Sequence, residues 1–304
     1  MRMRTSLAVS LLGLSLFATA GSALADCPPT GWTKEKLLEL KANKFAIDDF
    51  SERHRLAVDL LACLSSPDPQ LRDGIAFEAE TTWLRGGQFD HSARQEILQT
   101  LLPKLRKEAG DNDGFTRPFA ALVLAEVART DRLSAWLSAE QRAELVTAAA
   151  EFLESVDDYR GFDAKDGWRH GVAHGADLAM QLALNPELDR AQLDRLLAAV
   201  RKQIAPAGEH FYIYGESERL LRPMLFIAQR GLHDEAFWKA WLADLIAPAP
   251  LPSWDAAFAS QAGLAKRHNT QAFLLALYAN TRDSEQPAMQ SLAGLTREAL
   301  QALP

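Results

Sequence analysis

His170, His174 and Asp177 follow one another at intervals of four and three residues within Gly167-Trp168-Arg169-His170-Gly171-Val172-Ala173-His174-Gly175-Ala176-Asp177-Leu178. On an α-helix that spacing brings two imidazoles and a carboxylate onto one face. Such a stripe can ligate a divalent metal such as zinc and leave one position to water, which the metal turns into a hydrolytic nucleophile near neutral pH. The same groups also have a structural use. Gly171, Ala173, Gly175 and Ala176 are small, as where a helix packs closely on a neighbour. In that setting His170 and His174 would donate to buried carbonyls and fix the entry into the helix. A third use is acid–base or binding chemistry without a metal.

A second polar group lies at Tyr214-Gly215-Glu216-Ser217-Glu218-Arg219. Glu216 and Arg219, three apart at an expected helix start, suit a solvated ion pair. Alternatively Glu216 faces the same groove as His174, making His174, Glu216 and Arg219 candidate catalytic residues with Glu216 as acid or base. Asp163-Ala164-Lys165-Asp166-Gly167 lacks the alternating oxygen ligands and terminal glutamate of a calcium loop. The chain has no Cys-x-x-Cys, no His-Glu-x-x-His, no phosphate-cradling glycine loop and no Gly-x-Ser-x-Gly elbow, which removes several common enzyme classes.

The elements that must position these residues are helices. From Thr33 onward apolar residues return every three or four positions, and strand patterns are nearly absent. Asp68-Pro69, Ser92 with Gln95, and Ser138 with Gln141 mark helix starts. Gly86, Gly110, Asn185-Pro186, Gly231 and Pro248 mark stops. Counting between these signals predicts about a dozen helices of about 12–20 residues joined by short turns, hence antiparallel hairpins. The expected fold is all-α: stacked hairpins in a HEAT-like solenoid, or a closed α/α toroid that fits the same count. Two stretches break the pattern. His210 to Gly215 is aromatic and β-branched and should run extended between two helices. Asp157 to Gly167 should be a loop leading into the histidine motif. Trp83, Trp136, Trp238, Trp241 and Trp254 fall in helical apolar patterns and are expected in the core.

Residues 1–25 read as a secretory leader: Arg2 and Arg4, an apolar run from Leu7 to Ala20, and a small-residue cleavage site at Ala23-Leu24-Ala25, leaving Asp26 as the new N-terminus. Asp26 before Cys27 argues against a lipoprotein signal. No later run is as apolar for as long, so no transmembrane segment is expected after leader removal, and the remainder, 26–304, should form a single helical domain with a periplasmic or secreted location. Losing two arginines and no acids moves the formal charge from −7 to −9, which argues against nucleic acid as partner. The two cysteines, Cys27 and Cys63, would meet an oxidising compartment. A Cys27–Cys63 disulfide is expected, with a buried free Cys63 as the alternative.

Four stretches occur in order along the chain: Leu71-Arg72-Asp73-Gly74-Ile75-Ala76-Phe77, Phe115-Thr116-Arg117-Pro118-Phe119-Ala120-Ala121-Leu122, Gly167 to Leu178, and Gly215-Glu216-Ser217-Glu218-Arg219-Leu220. In this they resemble the bacterial family called domain of unknown function 2785, DUF2785, over residues 55–280, with Trp-x-His-x-x-Ala-His-Gly-Ala-Asp as the most specific part. The resemblance implies an all-helical, HEAT-like domain and no established activity, and it singles out His170, His174, Asp177, Glu216 and Arg219 as the polar motif. Pro118 stands where the family pattern favours serine. Ala173-His174-Gly175 is also similar to the His-Gly turns of lanthionine-cyclase-like toroids, although the cysteine ligands of that group have no counterpart here.

Two functions are therefore expected in competition. One is an exported helical-repeat module that binds a peptide, a protein or a cell-wall glycan fragment in its groove. The other is a hydrolase or glycan-processing enzyme, with or without zinc, centred on His170, His174 and Asp177.

Overall fold

The computed structural model describes residues 27–107, 111 and 113–304. The expected leader at 1–25, the new N-terminus at Asp26 and the expected stop at Gly110 lie outside the described residues. The described chain is all-α apart from one two-stranded hairpin. Its helices are α1 (Lys34–Ala42), α2 (Phe50–Leu60), α3 (Pro69–Leu71), α4 (Glu78–Arg85), α5 (His91–Leu101), α6 (Thr116–Leu133), α7 (Ala139–Ser155), α8 (Gly171–Ala183), α9 (Arg190–Ile204), α10 (Glu216–Gln229), α11 (Glu235–Leu245), α12 (Gln261–Thr281) and α13 (Pro287–Ala302). Strands β1 (Phe162–Asp163) and β2 (Gly167–Trp168) pair antiparallel in the loop ahead of α8.

The helix starts follow local side-chain chemistry. Asp68 accepts from the Gln70 N–H ahead of Pro69, and Ser138 and Gln141 form a reciprocal capping box. The start expected at Ser92 lies two residues earlier: Asp90 caps α5, its carboxylate accepting from the Ala93 N–H. The N-terminal helices are shorter than expected, and α3 passes directly into a π-helical segment, Arg72–Phe77, which periodicity gives no way to see.

α6 and α8 are buried along most of their length, α6 with Arg117, Glu126 and Asp131 among its buried residues. α6 packs between α4 and α8, α8 between α6 and α10, and α10 continues onto α12. Behind this row, α7 packs on α9 and α11 on α13. A continuous apolar core runs from Leu37 to Leu303 and includes Trp83 and Trp238, with Trp136, Trp241 and Trp254 packed against it. At Gly175 an added Cβ would lie 2.9 Å from Leu153 Cδ1, so the small residue permits the close approach of α8 to α7. Cys27 and Cys63 form a disulfide across 36 residues. Among the described residues no helix is long and apolar enough to cross a membrane.

Candidate functional site

The polar motif gathers where the N-termini of α8 and α10 meet the first turns of α6. His170 does not lie within the helix, as the simple spacing argument assumes. It is the residue before α8, in the left-handed region at φ 54°, and its carbonyl accepts the first helical bond from the His174 N–H at 3.0 Å. A non-glycine residue pays for that conformation. Its surroundings hold it there: the His170 N–H donates to the Arg160 carbonyl at 3.0 Å, and its ring stacks on Trp168 at 4.8 Å. The Trp168 ring in turn meets Tyr214 edge-on, and the Tyr214 ring lies so close to Gly161 that a Cβ there would fall 2.0 Å from it. Glycine at 161 is thus what lets the β-hairpin close onto the segment before α10.

His174, one turn into α8, sets its ring edge-on to Phe119 at 5.2 Å and beside the Pro118 carbonyl. That contact is made by backbone, so Pro118 serves it without the hydroxyl a serine would carry. Burial, with the Arg219 charge, pushes the His170 imidazole down to about 4. Burial, His170 and Arg219 push His174 down to about 3. Both rings are therefore neutral near pH 7. His170 Nε2 and His174 Nδ1 are buried without hydrogen-bond partners, and the nearest acid to His170 Nε2 is Glu216 Oε1 at 3.8 Å.

Glu216 is buried, 2% exposed, and its Oε2 accepts from the Tyr214 N–H at 2.9 Å. Burial raises its carboxyl above the usual range, and the backbone N–H groups of Glu216 and Tyr214 oppose that. The solvated Glu216–Arg219 pair expected at the start of α10 does not form. Glu216 turns inward, while Arg219, one turn along α10, reaches across to α8 and pairs with Asp177. Arg222 approaches the same carboxylate at 3.8 Å. Burial raises the Asp177 carboxyl, and Arg219 and then Arg222 oppose the shift.

His170, His174 and Asp177, the residues expected to hold zinc, do not share one helix face. Among the described residues no group of three or more His, Cys, Asp or Glu is disposed to hold a metal ion. His170 sits on the cap rather than the helix face, and the Asp177 carboxylate is turned to Arg219. The structure does bring His174, Asp177 and Arg219 together, on one side of a cavity of about 330 Å³ that Arg85, Glu126 and Arg222 complete. His170 and Glu216 do not line that cavity. A larger cavity of about 770 Å³ lies between residues 102–107 and α7 and contains none of the candidate residues.

Several residues escaped the sequence reading. Arg72 is fully buried, with its guanidinium 3.9 Å from the Phe115 ring centroid, and it donates to the carbonyls of Ser66 at 2.8 Å and Asp166 at 2.7 Å. It thereby ties the β-hairpin loop to the N-terminal helices; its place in the Leu71–Phe77 stretch was the available signal. Arg85 grips Glu126 through Nε at 2.8 Å and Nη2 at 2.5 Å, a pairing over 41 residues with no local signature. Arg222 follows Arg219 by three residues, and helical spacing could have found it. The hairpin and the segment before α10 also frame a cleft of about 530 Å³ with Tyr159, His210 and Tyr214 in its wall and the exposed Phe162 and Ile213 at its edge.

The sequence model of a family described as a protein of unknown function, DUF2785, matches residues 101–279, more than half of the chain. The match takes in three of the four stretches, including the histidine motif and Gly215–Leu220, and leaves Leu71–Phe77 outside. No curated protein and no solved structure matches the chain.

Proposed function

We propose that this chain, which belongs to the DUF2785 family, is an exported helical-repeat binding protein that takes a peptide, a protein segment or a cell-wall fragment across the face of α6, α8 and α10. In this reading residues 1–25 are a cleaved leader and 26–304 one HEAT-like solenoid, periplasmic or secreted. The packing of α6 on α8, α8 on α10 and α10 on α12, backed by α7 on α9, supports the stacked-hairpin reading. The Cys27–Cys63 disulfide supports an oxidising compartment.

One observation carries the binding reading: the polar motif divides into a part that fixes backbone and a part that lines a groove. His170 and Glu216 hold the entries into α8 and α10 through the Arg160 carbonyl and the Tyr214 N–H. His174, Asp177 and Arg219 line the groove, with Asp177 neutralised by arginine rather than directed at a reacting atom. Interlocked ion pairs of this kind hold a surface in shape for recognition.

The test is an equilibrium binding screen of the exported protein against peptides and enzymatically fragmented cell wall, with mass spectrometry of the recovered ligand. Saturable binding of an unaltered ligand, weakened in Asp177→Asn, is the expected result. Ligand recovered cleaved by the wild type and intact after incubation with His174→Ala would instead establish the hydrolase.

A further inference from the structure

The cavity on the groove side is unevenly charged. Arg85, Arg219 and Arg222 face it against Glu126 and Asp177, three guanidiniums to two carboxylates, on a chain whose net charge is −7. The pairings account for two of the three cations. Arg85 spends two donors on Glu126, and Arg219 bonds Asp177. Arg222, at the wall and nearly half exposed, comes no closer to an acid than 3.8 Å and donates no hydrogen bond among the described residues. His174, on the same wall and 8% exposed, has its Nδ1 unpartnered. The cavity thus presents one guanidinium fork without a hydrogen-bonded acid, while His174 Nδ1 lies sealed beneath its wall. An unspent guanidinium is a feature that a protein keeps for a ligand or satisfies internally.

Resting on the binding reading above, we infer that this cavity is a carboxylate subsite that receives the free C-terminus of a peptide. Arg222's planar fork matches a carboxylate in geometry, and one negative charge is what the cavity lacks. A dianion such as a phosphomonoester would bring a second negative charge against Glu126 and Asp177. The volume of about 330 Å³ is at the small end for a ligand site, enough for the last residue of an extended chain. Phe77, Leu122, Ala125 and Met180 supply apolar wall beside the charges, which suits a small apolar terminal side chain. The open groove lets the rest of the peptide run out.

The experiment is an array of short peptides of varied sequence ending in alanine, each made with a free C-terminal carboxylate and as the carboxamide, beside carboxamides carrying an internal glutamate or phosphoserine. It is probed with the full mature chain, wild type and Arg222→Gln, with thermal midpoints checking that the variant folds. The expected result is a preference for free carboxylate over carboxamide of about tenfold or more, the scale of one charge-assisted hydrogen bond, falling to near parity in Arg222→Gln. Equal binding of carboxylate and carboxamide overturns the subsite and leaves the binding reading standing. Retention led by phosphoserine or internal glutamate assigns the cavity to a side-chain anion and likewise overturns it. If no peptide is retained in any arm, the peptide proposal fails, and fragmented cell wall on the same support then decides whether the binding reading fails with it.

Discussion

His170 and Asp177 belong to one short motif and meet opposite fates. At the His170 end, polar atoms are buried and turned toward backbone: the Arg160 carbonyl, the Tyr214 N–H, and the Arg72 guanidinium on the Asp166 carbonyl. At the Asp177 end, seven residues along the chain, side chains bond to side chains across α8 and α10 beside solvent-accessible space. The first arrangement costs stability whenever a partner is removed, because a buried polar group left alone has no water to turn to. The second is mixed: the Asp177 carboxylate is itself buried, whereas Arg219 and Arg222 are partly exposed, so loss of Arg222, at 3.8 Å, is the change that end tolerates. One short motif can therefore combine a part tied to backbone with a part whose side chains pair across helices beside a cavity, and the two parts should respond differently to substitution.

That contrast is open to direct attack. The largest effect is expected at the fully buried Arg72: Arg72→Ala removes two carbonyl contacts and the packing on Phe115, and should lower the free energy of unfolding by about 3 kcal/mol or more, read from urea titrations. A loss under 1 kcal/mol would mean that the hairpin is not anchored through this residue. The next effect is a pH dependence. An unfolded imidazole titrates near 6.5, whereas His170 and His174 resist protonation down to about 4 and about 3. Because their folded pKa values are depressed, the stability they allow is complete above pH 6.5 and falls as the pH drops, by up to about 1.4 kcal/mol per pH unit for each histidine. Glu216 and Asp177, raised by burial, act with the opposite sign and bend this slope back toward the carboxylate range. His170→Gln and His174→Gln should each flatten the curve between pH 6.5 and 5, and an unchanged slope would place the titrating groups elsewhere. The smallest stability effect is expected on the groove side, where Arg222→Gln should stay within about 0.5 kcal/mol of the wild type in the same titrations. A larger loss would make Arg222 part of the frame and erase the distinction.

Much of the helical frame was legible in sequence because its determinants are local. The Ser138–Gln141 capping box and Asp68-Pro69 act within one turn of themselves, so reading them needs no knowledge of the rest of the molecule. The displaced start of α5 shows the limit of that reading: Asp90 and Ser92 are both good caps, and backbone geometry selected between them. The sequence named His170, His174, Asp177, Glu216 and Arg219 but neither Arg85 nor Glu126 beside them, and none of the pairings. Glu216 and Arg219 are near in sequence, yet one turned into the interior and the other crossed to Asp177 over 42 residues. The left-handed backbone at His170 was equally hidden, because it is imposed by the hairpin and Trp168 rather than by histidine itself.

By itself, then, the amino-acid sequence determined the all-α class, the positions of many helix ends, the membership of the polar motif and, through a supply of only two cysteines, the partners of the disulfide. Each of these depends on interactions within a few residues or on a choice with no competitors. The tertiary structure alone decided that His170 and Glu216 are buried against backbone, that Asp177 is held by arginine rather than offered to a metal, and that Arg85 and Glu126 complete the groove. Those outcomes depend on which distant helices come to lie side by side. Packing also sets how much water each group retains, and that balance determines which charge is neutralised, which imidazole stays neutral and which guanidinium stays partly exposed.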